Sequence, residues 1–94
     1  MAIGELLDQT TPLFQNETEK LSPYQMNFLR ALVDGVRTGF SNAETLQRYN
    51  LGTSANVVRL RNALLQKELI EVNGKEVSFA DPVFRLWFRR EMMF

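Results

Sequence analysis

The chain has no cysteine and no histidine in 94 residues. Disulfide frameworks, thiolate nucleophiles, imidazole bases and the usual zinc sites are therefore excluded, and with them most enzyme chemistry. Neither sign of charge prevails, since 11 Lys and Arg balance 11 Asp and Glu. No hydrophobic run approaches the length of a membrane span, so no membrane partner is expected. The start, Met1-Ala2-Ile3-Gly4-Glu5, lacks the apolar core of a secretion signal, which makes a cytoplasmic setting the expectation. Glycine is confined to Gly4, Gly35, Gly39, Gly52 and Gly74. None precedes Lys-Ser or Lys-Thr at phosphate-loop spacing, so nucleotide hydrolysis is not expected of this chain, and no cofactor is implied in it.

What is present suits one small folded unit: 45% hydrophobic and 23% charged residues, enough for a single modest core. Charge is unevenly spread. Residues 1–19 carry Glu5, Asp8, Glu17 and Glu19 without a base. Residues 20–75 carry eight bases against Asp34, Glu44, Glu68 and Glu71. A mildly basic middle is compatible with nucleic acid but falls short of the strongly basic footprint that argues for it.

Helix signals recur along the chain. Ile3, Leu6 and Leu7 stand at helical spacing, and Thr11 with Pro12 predicts a restart carrying Leu13 and Phe14, an arm that docks through those two residues. Ser22, Pro23 and Gln25 form a capping box, followed by the apolar face Tyr24, Phe28, Leu29, Leu32 and Val33. Ser41 with Glu44 predicts a second box, opening a helix that buries Ala43, Leu46 and Tyr49. Asn50-Leu51-Gly52 predicts a tight turn with a left-handed residue. Thr53 or Ser54 then caps a helix over 54–67 with Val57, Leu60 and Leu64 inward and Ala55, Val58, Arg59, Asn62 and Gln66 outward. Two capped helices around a short glycine-containing turn form a helix-turn-helix.

Asn73-Gly74 between alternating runs predicts a hairpin with a type I′ turn. That register sets Ile70 against Val77 and Glu71 against Glu76, a like-charge pair on the solvent face. Asp81 with Pro82 starts a last helix bearing the apolar stripe Phe84, Trp87 and Phe88. The apolar tail Met92-Met93-Phe94 is expected to dock internally or cover a partner. The fold class is mainly α with a small β-hairpin: a winged helix-turn-helix with an N-terminal helical arm and an extra C-terminal aromatic helix. Residues 1–20 are the arm or linker from a preceding domain, and 21–94 the winged-helix domain. Within it, helices are expected over about 22–34, 42–49, 54–67 and 81–92, and the hairpin over 69–80.

Asp81-Pro82-x-Phe84-x-x-Trp87-Phe88 resembles the D-P-x-F-x-x-W-F signature that closes the C-terminal winged-helix domain of prokaryotic AAA+/STAND ATPases of the archaeal-type group. Leu51-Gly52-Thr53-Ser54, with Val57, Arg59 and Leu69-Ile70, is similar to the preceding helix-turn-helix of those proteins. Thr11-Pro12-Leu13-Phe14-Gln15 and Leu21-Ser22-Pro23-Tyr24-Gln25 look like the connection out of the ATPase lid in bacterial members. Glu68 departs from the glycine that many winged helices place before the Leu-Ile strand. The resemblance implies a non-catalytic C-terminal module of a bacterial ATPase whose nucleotide site lies upstream, acting in regulation or partner interaction.

The alternative is sequence-specific binding of double-stranded DNA through helix 54–67. Arg59, Asn62 and Gln66 would be offered to base edges, with Arg48, Arg61 and Lys67 near phosphates. The acidic wing expected from the register weighs against it, because affinity for DNA comes mainly from neutralised phosphates. The ATPase core of the parent, or another protein, is thus the favoured partner. Candidate contact residues are Arg48, Arg59, Arg61, Asn62 and Gln66. Asp81, Pro82, Phe84, Trp87 and Phe88 form the structural motif. Arg85 and Arg89, at i and i+4, read as a solvated flank.

Overall fold

The computed structural model describes residues 12–93. The expected helix on Ile3, Leu6 and Leu7, the Thr11 cap and Phe94 lie outside the described residues. The elements run α1 (residues 12–19), α2 (Pro23–Val33), α3 (Ala43–Tyr49), α4 (Ser54–Gln66), β1 (Ile70–Asn73), β2 (Glu76–Phe79) and α5 (Pro82–Met92).

Most helix starts follow from their caps. Ser22 Oγ accepts from the Gln25 N–H at 3.1 Å while Gln25 Oε1 accepts from the Ser22 N–H at 2.9 Å, so two orphan donors are satisfied reciprocally. Thr53 and Asp81 cap α4 and α5 through the N–H groups of Asn56 and Val83. The Ser41–Glu44 box does not form. A turn in which Asn42 N–H donates to Gly39 C=O holds Ser41, so α3 starts one residue later, behind Asn42 and without a side-chain cap bond. Its burial also differs from the expected pattern. Ala43 is exposed, and Leu46 and Tyr49 are only half-buried against the core.

Helix ends are closed by one repeated device. After α2, α3 and α4, the residues Gly35, Asn50 and Glu68 adopt φ of 105°, 54° and 60°, and the next N–H reaches back five residues, to the carbonyls of Ala31, Leu46 and Leu64. For α4 this means Glu68 N–H to Leu65 C=O at 3.0 Å and Leu69 N–H to Leu64 C=O at 3.1 Å. Glu68 therefore takes the conformation that glycine would take, and α4 ends as if glycine were there. The left-handed region costs an L-residue roughly 1–2 kcal/mol, offset in part by the greater unfolded-state freedom of glycine. Glu68→Gly is accordingly expected to stabilise the domain by about 0.5–1 kcal/mol, read as a rise of a few degrees in thermal midpoint. An unchanged or lowered midpoint would count against strain at this position.

The hairpin forms in a register two residues away from the expected one. Ile70 faces Phe79, Glu71 faces Ser78, Val72 faces Val77, and Asn73 faces Glu76. The central turn residues are Gly74 and Lys75, and only Gly74 has positive φ, at 64°, which is the type II′ pattern and not type I′. The physical reason lies in pairing: this register sets apolar directly against apolar at both core-facing positions, whereas the expected one wastes Val72 on Lys75. The two-residue shift leaves the faces unchanged, so Ile70, Val72, Val77 and Phe79 still look inward. Glu71 and Glu76 are no longer opposed; they remain on the solvent face as diagonal neighbours. The free edge of β2 is also engaged, since Val77 N–H donates to the Arg37 carbonyl at 2.8 Å in the connector after α2.

The core gathers around two aromatic groups. Phe28 of α2 stacks on Phe40 at 4.3 Å with planes 7° apart, between α2 and the connector. Phe84, Trp87 and Phe88 of α5 are all buried and meet Phe79 of β2 on one side and Phe14 of α1 on the other. Phe14 lies edge-on to Phe84 at 5.1 Å and tilted to Trp87 at 5.5 Å. The arm thus docks through Phe14, while Leu13 points outward, 60% exposed. Met92 and Met93 are half-buried against the core, so at least two residues of the apolar tail dock internally.

Candidate interaction surface of the helix-turn-helix and wing

The turn between α3 and α4 is fixed from both sides. Leu51 is fully buried, and its carbonyl accepts from Asn56 Nδ2 of α4 at 2.7 Å. The Asn50 carbonyl accepts from Asn27 Nδ2 of α2 at 3.2 Å. Two successive carbonyls of this tight turn are therefore tied to the flanking helices, which fixes the angle at which α4 leaves it.

Along α4, Val57, Leu60 and Leu64 are buried. The opposite face is open: Ala55, Val58, Arg59, Asn62, Leu65 and Gln66 are all exposed. Arg59 is the single cation among these six. Val58 at 46% and Leu65 at 37% exposure stand two turns apart and form an apolar stripe that the sequence pattern had not separated from its polar neighbours.

The five candidate contacts do not form one patch. Arg59, Asn62 and Gln66 share the open face of α4. Arg61 lies roughly 160° around the helix from Arg59 at 100° per residue, half-buried and directed to the wing. Arg48 belongs to the last turn of α3, with its guanidinium 5.7 Å from the Tyr49 ring centre. That ring is anchored in turn, because Tyr49 Oη donates to Asp34 Oδ2 at 2.8 Å. Burial, then the Asp34 hydrogen bond and charge, push the Tyr49 phenol above its ordinary range, so it remains the donor at neutral pH. Of the motif residues, Asp81 caps α5, Pro82 occupies its first position, and the three aromatics are core.

Sequence reasoning missed Val58 and Leu65 as a stripe, and also Thr38, Ser41 and Lys75, which flank Arg61 across a cleft. Positions 58 and 65 are seven apart, which was a usable signal. Nothing local joins the connector, α4 and the wing tip. Among the described residues, no three carboxylates are grouped to hold a metal ion. No helix there is long and apolar enough to cross a membrane.

Three helices with a rigid α3–turn–α4 unit, followed by a hairpin packed beside α4, define a winged helix-turn-helix domain, here extended by α1 and α5. The family model described as a probable winged helix domain matches residues 12–90. The chain belongs to that family, and the match takes in α1 and nearly all of α5. No curated protein and no solved structure matches the chain.

Proposed function

We propose that this chain is the non-catalytic C-terminal winged-helix module of an ATPase, acting in regulation or partner interaction, with the open face of α4 as its protein-contacting surface. The observation that carries this reading is the stripe of Val58 and Leu65 on the face that a DNA-reading helix would offer to base edges. Covering the exposed parts of both side chains contributes about 1–2 kcal/mol, a usable centre for a protein contact. A single cation on that face leaves phosphate neutralisation weak. The resemblance of Asp81-Pro82-x-Phe84-x-x-Trp87-Phe88 to the ATPase signature supplies the parent, and the family match is compatible with it.

The coding sequence upstream of Met1 tests the parentage, because a phosphate-binding loop and a Walker B strand are expected there. The surface is tested by mixing the domain with the upstream core made as a separate polypeptide. Val58→Glu is expected to weaken that complex about tenfold or more, as a buried unpaired carboxylate would. Arg59→Ala is expected to change it far less.

DNA binding is the second reading, favoured by Arg61 of α4 and Lys75 of the wing tip, two cations that line one cleft. Titration against random duplex at two salt concentrations separates the two. Binding at low salt that falls steeply with added salt and weakens with Arg59→Ala would replace the protein-contact reading.

A further inference from the structure

On the wing side of α4, a cleft of about 280 Å³ lies between the 38–41 connector, α4 and the tip of the hairpin. Its floor is apolar, made by Phe28, Val57 and their neighbours. Its rim carries Thr38 and Ser41 on one side, Arg61 on the second and Lys75 on the third. Two cations from separate elements thus line the same space, and no carboxylate does.

Arg61 is the informative member. It is half-buried, and among the described residues it forms no ion pair or hydrogen bond. Arg61 and Lys75 line one cleft without a carboxylate between them, and an anion seated there would relieve their mutual repulsion. Its planar fork suits two oxygens of one tetrahedral anion, Lys75 supplies a point charge, and the Thr38 and Ser41 hydroxyls add neutral donors. The hairpin register contributes directly. With Gly74 and Lys75 as the central turn residues, Lys75 is at the wing tip, above the cleft and not paired within the strands.

We infer that this cleft binds a phosphate group, held by Arg61 and Lys75 across the gap between α4 and the hairpin. The group belongs either to a free phosphate or nucleotide, or to a phosphodiester backbone. The surface differs from the open face of α4, so failure of the cleft leaves the protein-contact reading untouched, and the converse also holds.

The test is a titration of the whole chain with inorganic phosphate at constant ionic strength, chloride replacing phosphate, followed by amide NMR. Saturable shifts are expected at Thr38 to Ser41 and at Gly74 and Lys75. Arg61→Gln and Lys75→Gln, each checked for an unchanged fold by the remaining spectrum, are each expected to weaken binding about tenfold or more. Arg59→Gln, on the open face, is expected to leave it unchanged. Two further arms distinguish the source. Tighter binding of a nucleoside triphosphate with no response to a short duplex assigns a free phosphate. Displacement of phosphate by the duplex, lost in Arg61→Gln, assigns the backbone. The inference is overturned if phosphate and chloride give the same spectra, or if the shifts persist in both glutamine variants.

Discussion

Trp87→Ala is expected to remove about 3–5 kcal/mol of stability, a large share of the about 5–15 kcal/mol that holds a small domain together. Trp87 has no exposed surface and packs against Phe14 at 5.5 Å and Phe84 at 5.9 Å. Its truncation opens a cavity where α1 and α5 meet, and the rings lining it lose dispersion contacts that water cannot replace. Urea denaturation followed by far-ultraviolet circular dichroism measures the loss. Trp87→Phe, which keeps a ring in the cavity, is expected to cost clearly less. A loss under about 1 kcal/mol for the alanine variant would mean that α5 stands outside the cooperative core.

The second large effect concerns the arm. Phe14 is 7% exposed, and its ring is edge-on to Phe84. Phe14→Ala is expected to destabilise the domain by about 3 kcal/mol, because the deletion leaves the Phe84–Trp87 surface uncovered. Trp87 is the only tryptophan in the chain, so its fluorescence reports the change directly. Its emission should shift to the red at low denaturant as water reaches the ring. The coupling between positions 14 and 84, measured as a double-mutant cycle with Phe84→Leu, should be about 0.5–1.5 kcal/mol. Zero coupling together with native stability of Phe14→Ala would detach α1 from the fold.

Capping chemistry and apolar period were legible residue by residue. Ser22, Pro23 and Gln25 have one low-energy use, and so do Asp81 and Pro82. The inward triad Val57, Leu60 and Leu64 follows from 100° steps alone. Failures came where two local solutions were nearly equal. Asn73-Gly74 fits a type I′ turn by residue preference, yet moving the turn to Gly74-Lys75 sets Val72 against Val77 and Ile70 against Phe79. The expected register had one apolar pair, Ile70 with Val77; the observed one has two, and each such pair contributes roughly 0.2–1 kcal/mol. Ser41 and Glu44 likewise satisfied a pattern, but the turn closed by Gly39 and Asn42 used Ser41 first. Glu68 showed the opposite case, a residue with no preference for positive φ placed there by the pull of buried Leu64 and Leu69 on either side of it.

By itself the sequence determined which of the described segments are helices, the inward side of α4 and α5 and, Tyr24 excepted, of α2, and that a hairpin follows the helix-turn-helix, because these depend on contacts within a few residues. It also excluded cysteine, histidine and phosphate-loop chemistry in this chain. Only the tertiary structure decided the register of the wing and the docking of Phe14 but not Leu13. Each of these turns on which surface from a distant part of the chain offers the better apolar cover. The cleft between Arg61 and Lys75 is the clearest instance: two unremarkable bases, fourteen positions apart in the chain, become one site because the hairpin folds its tip back beside α4.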